Sequence, residues 1–370
     1  MDRNAFFSDT NEHYVTEWMQ GACCTLRVRF RAALADKLRV SLLLQEREEA
    51  VSLSPVSGGS RFREYACTFV TESTVSWLFL IEDRESGEKL YYDRRGVSKT
   101  ARPELCFQHI PGFRTPDWAK GAVMYQIFVD RFRDGNSAND VDTDEYLYIG
   151  LPVQHIENWD EKPSAFDVGY FYGGDLSGVR EKFAYLKDLG VEVIYFNPLF
   201  VSPSNHKYDT QDYEHIDPHL TVIAEDGGEL LPAEAGDNLN ATRYQKRSAD
   251  PKNLEASDRF FAAFTEEAHR FGFRILLDGV FNHCGSFHKW LDREKIYARE
   301  GGYAPGAYLT PDSPYRKYFV FADKRPEAWP DNKSYDGWWD NDTLPKLNYE
   351  ASPELAEQIL EVGEKWLKPP

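Results

Sequence analysis

Three polar residues that could bind a ligand follow a short apolar run. The run 275–277 is bounded by polar groups, and Asp278, Asn282 and His283 come after it. Such a run is typical of a buried strand in a parallel sheet. The carboxyl end of such a strand is where parallel α/β folds place their chemistry. The pattern leaves an alternative open, in which Asp278 caps a following helix and His283 is satisfied by the backbone.

Two earlier segments are predicted to be strands of the same sheet. The segment 122–132 is largely apolar, and the segment 191–200 is followed by His206 and Tyr208 among other polar residues. The amphipathic run 176–189 between the two segments predicts a helix, and a strand-helix-strand order predicts a parallel βαβ unit.

The remaining connections contain further predicted features. Residues 221–251, rich in Gly, Glu and Asn, predict a surface excursion, and Ser257 is the expected N-cap of a helix closed by Gly272. Residues 284–352 are too many for a structureless loop and predict an inserted subdomain. Ser352, Pro at the next position and an acid after it predict the start of a last helix.

Side-chain oxygens are concentrated in the loop after the first predicted strand, at Asp134, Asn136, Asn139 and Asp140. Closely spaced carboxylate and amide oxygens on a glycine-containing loop suit calcium, which takes six to eight oxygen ligands. The spacing differs from that of an EF-hand, and a solvated acidic loop is the alternative.

The net charge, the aromatic content and the cysteine spacing limit the kinds of partner and compartment that we expect. A net charge of -18 over 370 residues argues against nucleic acid and anionic membranes, which require basic patches. Aromatic residues make up 15% of the chain, which would serve either a sugar-binding surface or plain core packing. Five cysteines without metal or disulfide spacing fit a reducing cytoplasm, and we expect neither a signal peptide nor a membrane span.

The amino-terminal part has a different pattern from the rest. Residues 25–113 alternate between apolar and polar in short runs separated by Pro, Gly and Ser clusters, which predicts an antiparallel β-sandwich domain over residues 1–115. This domain would serve either as a structural cap or as a module for carbohydrate binding or dimerisation.

Four segments taken together resemble one enzyme family. They are MYQIFVDRF at 124–132, FYGGDLSGV at 171–179, HKYDTQDYEHIDPH at 206–219 and LLDGVFNH at 276–283. Their residues and order are similar to the α-amylase family of glycoside hydrolases, family 13, and to its neopullulanase, cyclomaltodextrinase and maltogenic amylase branch. The β-sandwich is similar to the amino-terminal domain of that branch.

The resemblance implies a fold and a sugar site. Residues 116–370 would form the amino-terminal part of a (β/α)8 TIM barrel, namely its first three βα units and a B subdomain at about 284–351. By the family pattern His206, Tyr208, Asp278 and His283 bind the sugar that is cleaved. The substrate would be an α-glucan oligosaccharide such as a maltodextrin, a cyclodextrin or pullulan, and the amino-terminal domain could form a homodimer.

The resemblance also completes the calcium prediction. It adds the backbone carbonyl of Gly173 and the carboxylate of Asp175 to the four loop residues, with Asp134 and Asn136 in the reverse of the order that relatives often show. Asn282 is a calcium ligand in some relatives, although its partner ligands are not identifiable in this chain.

The family's catalytic carboxylates follow the fourth, fifth and seventh strands of the barrel, and we find none of those strands in the sequence. Retaining hydrolysis needs two carboxylates about 5 Å apart. We therefore expect this chain to be inactive alone, as part of a retaining glycoside hydrolase. The alternative is a non-catalytic glucan-binding or scaffold protein with an amylase-like fold.

Overall fold

The computed structural model describes residues 1–45, 50–56, 59–297, 303–322 and 334–368. The chain divides into two compact units, Met1–Lys120 and Gly121–Pro370, near the boundary predicted at residue 115. None of the helices in these described ranges combines the length and the apolar character that a membrane span requires.

The described residues of the first unit form nine antiparallel strands. They are β1 Val15–Gln20, β2 Cys23–Ala33, β3 Leu38–Leu44, β4 Val51–Val56, β5 Phe62–Thr71, β6 Val75–Asp83, β7 Lys89–Asp93, β8 Gly96–Ser98 and β9 Phe107–His109. Their order is β1-β2-β5-β4-β3-β6-β7-β8, with β9 paired to β6. Buried and partly buried residues alternate along the whole of β2, as the sequence pattern predicts for a strand with one face on a core.

The nine strands form one curled sheet, so the two separate sheets of the predicted β-sandwich are not confirmed. Strand β4 pairs with β3 through Leu53 and with β5 through Ser54 and Val56, and thereby joins the two halves of the sheet. The apolar faces of both halves, including Phe30 on β2 and Phe79 on β6, lie in the same core cluster. A connected sheet whose two ends share one core must curl around it.

The second unit alternates strands and helices. Its strands are β10 Met124–Ile127, β11 Leu147–Tyr148, β12 Leu151–Pro152, β13 Gln154–His155, β14 Tyr170–Phe171, β15 Val193–Phe196, β16 Phe200–Val201, β17 Asp212–Ile216 and β18 Arg274–Leu277. Its helices are α1 Leu176–Glu181, α2 Phe183–Asp188, α3 Thr242–Ala249, α4 Pro251–Arg270 and α5 Pro353–Leu367.

The three predicted parallel strands are present and adjacent. They are β10, β15 and β18, in that order, and Ile127, Phe196 and Leu277 at their carboxyl ends are in register. The residues that follow the three strands therefore meet at one edge, an arrangement consistent with part of a TIM barrel. The 275–277 run is only partly buried, because no strand of the described residues pairs with the other side of β18.

Several predicted helix boundaries are wrong. The run 176–189 forms two helices, because the backbone leaves the helical conformation at Lys182. Ser257 is not an N-cap: α4 already begins at Pro251, and the Asp250 side chain caps it by accepting the Lys252 N–H at 2.9 Å. The predicted start of α5 after Ser352 is confirmed.

The loops after the three strands share a core of their own. Tyr146 follows β10, Tyr244 lies on α3 and Phe287 follows β18, and their ring centroids are 4.0 to 6.0 Å apart. All three side chains are buried. The predicted surface excursion therefore holds for most of residues 222–240, which are exposed or half-buried, but not for α3, which helps to form this core. The assignment of residues 284–351 to a B subdomain stays a prediction.

Candidate functional site

Asp278 is held between two tyrosines at the carboxyl edge of the parallel strands. Its Oδ2 accepts hydrogen bonds from the hydroxyls of Tyr195, on β15, and Tyr208, in the loop after β15, at 2.8 and 3.0 Å. Asp278 therefore caps no helix, and that alternative is wrong. No donor among the described residues reaches its second oxygen, Oδ1, which leaves this oxygen able to accept a ligand hydroxyl.

The Asp278 carboxylate favours the protonated form of both tyrosine hydroxyls, so that both remain hydrogen-bond donors. Burial and the nearby Asp278 charge raise the pKa of Tyr208 to about 12, and the hydrogen bond to Asp278 raises the pKa of Tyr195. Both phenols therefore stay protonated at neutral pH. The sequence analysis missed Tyr195, because its position inside an apolar strand gave it the appearance of a packing residue.

His206 lies beside Tyr208 and is neutral. Its Nδ1 accepts the backbone N–H of Tyr208 at 3.1 Å, and the two ring centroids are 5.8 Å apart. Burial lowers the pKa of the imidazole. The remaining proton is therefore on Nε2, from which the ring can donate a hydrogen bond to a ligand.

His283 is used within the protein. Its Nε2 donates to the Tyr208 carbonyl at 3.1 Å, Nδ1 lies 2.6 Å from the Asn282 amide, and the ring stacks on Trp338 at a centroid distance of 6.1 Å. The structure thus shows the backbone-satisfied alternative for His283. A role in binding sugar stays a prediction, and the visible role is to fix the position of Tyr208.

Lys207 orients the two residues on either side of it. Its backbone is in the left-handed region, at φ 62, and its buried Nζ donates to the Ser202 carbonyl and to Asp217 Oδ2, each at 2.7 Å. A left-handed lysine is uncommon, and the two hydrogen bonds hold it in place.

Asp217 connects Lys207 to a buried ionic network. His219 lies between Asp217 Oδ1 and Glu145 Oε1, at 2.9 and 3.0 Å, and Glu145 Oε2 accepts from Arg247 at 2.8 Å. Although burial alone would lower the pKa of His219, the two carboxylates raise it to about 9. The network therefore joins the loop after β10, the loop after β15 and helix α3 through charged side chains.

Five of the predicted calcium ligands, Asp134, Asn139, Asp140, Gly173 and Asp175, lie near one another between the loop after β10 and the amino end of α1, whereas Asn136 Oδ1 accepts the Ala138 N–H. Asn139 donates through Nδ2 to Asp175 Oδ2, at 3.3 Å, and a Cβ on Gly173 would lie 2.6 Å from Asp140 Oδ1. Burial and the neighbouring carboxylates of Asp134 and Asp175 raise the pKa of Asp140 to about 7.

Two oxygens of this group, Asn139 Oδ1 and Asp140 Oδ1, are buried and have no hydrogen-bond partner among the described residues. Unpaired buried acceptors beside crowded carboxylates are what a hard cation would satisfy. The residues present therefore fit calcium.

A second set of possible ligand atoms lies in the first unit. Glu17, Cys24 and His109 place such atoms within 4.8 Å of one another. The Glu17 carboxylate already accepts from His109 Nε2, at 3.0 Å, and from the Gly112 N–H, and burial raises the pKa of the Cys24 thiol. Because these groups satisfy one another and the thiol stays protonated, the set carries no metal proposal.

Comparison with known proteins identifies the family. The family model described as "Alpha amylase, catalytic domain" matches residues 126–226 and 256–369, which is more than half of the chain. The chain therefore belongs to the alpha-amylase family, and the predicted resemblance is confirmed.

Individual relatives agree with this membership. The chain is 31% identical to neopullulanase 2 of Thermoactinomyces vulgaris over 93% of its own length and 50% of the relative's. It is 38% identical to amylopullulanase of Thermoanaerobacter thermohydrosulfuricus over 63% of its own length and 14% of the relative's. The type III pullulan hydrolase from Thermococcus kodakarensis shares the fold, with a TM-score of 0.54 at 24% identity over 98% of this chain and 54% of that one.

The ionic network predicts that replacing His219 lowers the free energy of unfolding by an amount that depends on pH. Because its pKa of about 9 lies above the usual 6.5, the charged histidine stabilises the fold fully below pH 6.5, and this contribution is lost as the pH rises through 9. His219→Gln should therefore lower the free energy of unfolding by about 3 kcal/mol at pH 6 and by clearly less at pH 10. Urea unfolding at both pH values measures this difference.

The control is His269→Gln, which changes an exposed histidine of α4 and should have little effect at either pH. An equal loss for His219→Gln at pH 6 and pH 10 would show that His219 is not charged in the folded chain.

Proposed function

We propose that this chain binds an α-glucan at the surface formed by Asp278, Tyr208 and His206, as part of a glycoside hydrolase that acts on maltodextrins, cyclodextrins or pullulan. The observation that carries the proposal is the Asp278 carboxylate, which is fixed by two tyrosine hydroxyls at the carboxyl edge of three parallel strands and has one oxygen free to accept. Matched relatives named neopullulanase and cyclomaltodextrinase support the choice of substrate.

The chemistry of these side chains suits a sugar. A glucose ring has an apolar face that packs on an aromatic ring, which the Tyr208 side chain offers. Its hydroxyls both donate and accept, and they match the accepting oxygen of Asp278 and the donating Nε2 of His206. His283 would contribute indirectly, by holding the Tyr208 carbonyl.

We propose a retaining mechanism for the whole enzyme, because retention is the expectation of the family resemblance and requires a carboxylate nucleophile and a carboxylic acid on opposite sides of the bond. The 370 residues would supply the binding half of that site. The relatives are longer, and this chain spans about half the length of neopullulanase 2.

We further propose a structural calcium ion bound by Asp134, Asn136, Asn139, Asp140, Asp175 and the Gly173 carbonyl. The two unpaired buried oxygens and the crowded carboxylates support this site. When bound, calcium would neutralise the carboxylates and tie the loop after β10 to the start of α1.

Two broader proposals rest on the relatives alone. A cytoplasmic location agrees with the similarity to the intracellular maltogenic amylase of Bacillus subtilis, which is 31% identical over 69% of this chain. A homodimer formed through the first unit stays a proposal from the family resemblance.

The sugar-binding proposal predicts a specific loss. Asp278→Asn should weaken the binding of β-cyclodextrin and maltose at least tenfold, because a hydrogen bond to a charged group is lost, about 1.5 to 3 kcal/mol. Isothermal titration calorimetry on the 370-residue chain measures it. Asp188→Asn, at the end of α2, is the matched control and should bind normally. Unaltered affinity of Asp278→Asn would remove this surface from the proposal.

The catalytic proposal predicts that the 370-residue chain alone does not hydrolyse a chromogenic maltoside. The described residues contain three of the parallel strands, and the family pattern places the nucleophile and the acid after later ones. A longer chain extended through those strands is the comparison. Turnover by the short chain at the rate of the long one would contradict the assignment, and absence of turnover by both would favour a non-catalytic glucan-binding protein.

The calcium proposal predicts a shift in melting temperature. Calcium binds only the folded site, so saturating calcium should raise the melting temperature above that in chelator, by several degrees at about 100-fold excess over Kd. Asp140→Asn should abolish the shift, whereas Asp188→Asn should retain it. The same melting temperature with calcium and with chelator would exclude the site.

A further inference from the structure

The second unit contains a cavity of about 370 Å³ that is separate from the surface around Asp278. It lies between β17, the segment 288–290 that follows β18, and one side of α5, and none of Asp278, Tyr208 and His206 lines it. Small-molecule sites usually have volumes of roughly 300 to 1,000 Å³, so this cavity is at the lower end of the range. The ligand of this cavity, which we call the His288 cavity, must therefore be small.

His288 lines the cavity and carries an unpaired donor. Its side chain is buried, and its Nδ1 accepts the Trp290 N–H at 3.1 Å. Burial holds the pKa of the imidazole well below its usual value, so the ring is neutral and its proton is on Nε2. Nε2 has no hydrogen-bond partner among the described residues. A buried donor without an acceptor is unfavourable, and an oxygen atom of a ligand would satisfy it.

The charged side chains of the cavity favour a neutral ligand. Both lysines that line it are already engaged by the protein, since Lys289 is paired with Glu214 and Lys365 donates to Asp258 at 3.0 Å. Glu361 also lines the cavity, and no described residue forms an ion pair or a hydrogen bond with its carboxylate. An anion would therefore meet an uncompensated negative charge, whereas a hydroxyl can donate to Glu361 and accept from His288.

The inner wall of the cavity is aromatic and preformed. The buried rings of Tyr213 and Trp290 form it, with their centroids 6.1 Å apart. Tyr213 is held at both ends, because its hydroxyl donates to the His283 carbonyl at 2.6 Å and its own carbonyl accepts the Trp366 Nε1–H at 2.9 Å. A fixed wall loses little conformational freedom on binding. Apolar rings beside polar groups suit a molecule that has both C–H faces and hydroxyls.

We infer that the His288 cavity is a second binding site, which takes a free monosaccharide such as glucose. Hydroxyls of the sugar would bind Glu361 and His288 Nε2, and its C–H groups would pack on the aromatic wall. The inference goes beyond the proposed function, because it does not require a sugar to bind at Asp278. The occupant is a free small sugar, since a cavity of this size does not admit a cyclic glucan.

Nuclear magnetic resonance of the indole N–H groups tests the inference on the 370-residue chain. Glucose should shift the Trp290 signal, which is identified by its absence from Trp290→Phe, and the shift should saturate. β-Cyclodextrin is too large for the cavity and inorganic phosphate has the wrong charge, so neither should shift this signal. A glucose shift that does not saturate, or a shift caused by either of the other two probes, would overturn the inference.

A matched pair of variants on α5 tests the role of the carboxylate. Glu361→Ala should weaken glucose binding about tenfold, because a hydrogen bond to a charged acceptor is lost. Glu357→Ala is the same substitution on the same helix, outside the cavity, and should bind glucose normally. Both side chains are exposed, so both variants should melt at the temperature of the unaltered chain. Equal glucose affinity of the two variants would contradict the assignment.

The Asp278→Asn variant separates this inference from the proposed function. Glucose should shift the Trp290 signal of this variant with unchanged affinity, and loss of the shift would overturn the inference, because the signal would then report binding at Asp278. Normal β-cyclodextrin binding by the unaltered chain without a glucose shift would overturn the His288 cavity alone. A saturating glucose shift without any β-cyclodextrin binding would support the cavity and overturn the proposed function.

Discussion

The buried bridge from Asp217 through His219 to Glu145 is the interaction on which the candidate site depends. The two carboxylates belong to different segments, since Asp217 follows β17 and Glu145 follows β10, and each would lose one of its two cationic partners if the histidine lost its charge. The loss of a partner from a buried ionic network is strongly destabilising. The bridge therefore fixes the distance between the two segments, and through Asp217 it also fixes Lys207, which stands between His206 and Tyr208.

The neighbouring polar side chains have two different roles. Lys207 and His283 have their polar atoms engaged by the protein, whereas no described residue donates to Asp278 Oδ1 or hydrogen-bonds to His206 Nε2. Residues of the same polar character thus serve either as support or as ligand-facing groups. The residues of the proposed calcium site form a third set, in the loop after β10 and at the start of α1.

The features that were predicted correctly from the sequence are those that depend on hydrophobic periodicity and on the positions of strand ends. The parallel order of β10, β15 and β18 follows from apolar runs separated by helical patterns, and the position of Asp278 follows from its place at a strand end. The sequence did not reveal Tyr195 as a partner of Asp278, because that contact depends on which face of β15 meets the next strand. Such contacts are set by register and twist, which single-chain patterns do not contain.

Some helix boundaries were predicted wrongly for a related reason, because tertiary contacts decided them. Ser257 has the side chain of a good N-cap, yet it lies fully buried inside α4, where its Oγ donates to the Ile216 carbonyl at 2.7 Å. Local preference was overridden by a tertiary hydrogen bond. Likewise, the polar composition of residues 221–251 predicted exposure, but Arg247 of α3 is buried and paired with Glu145 inside the ionic network.

Strand β4 limits how the first unit can change in evolution. Its first half pairs with β3 and its second half with β5, so an inserted or deleted residue would shift one half of the curled sheet against the other by one position. A shift of one position turns every side chain of the displaced strand to the opposite face. A change in the length of Val51–Val56 would therefore disturb the pairing of both halves of the curled sheet at once, whereas a change in a connecting turn would leave both registers intact.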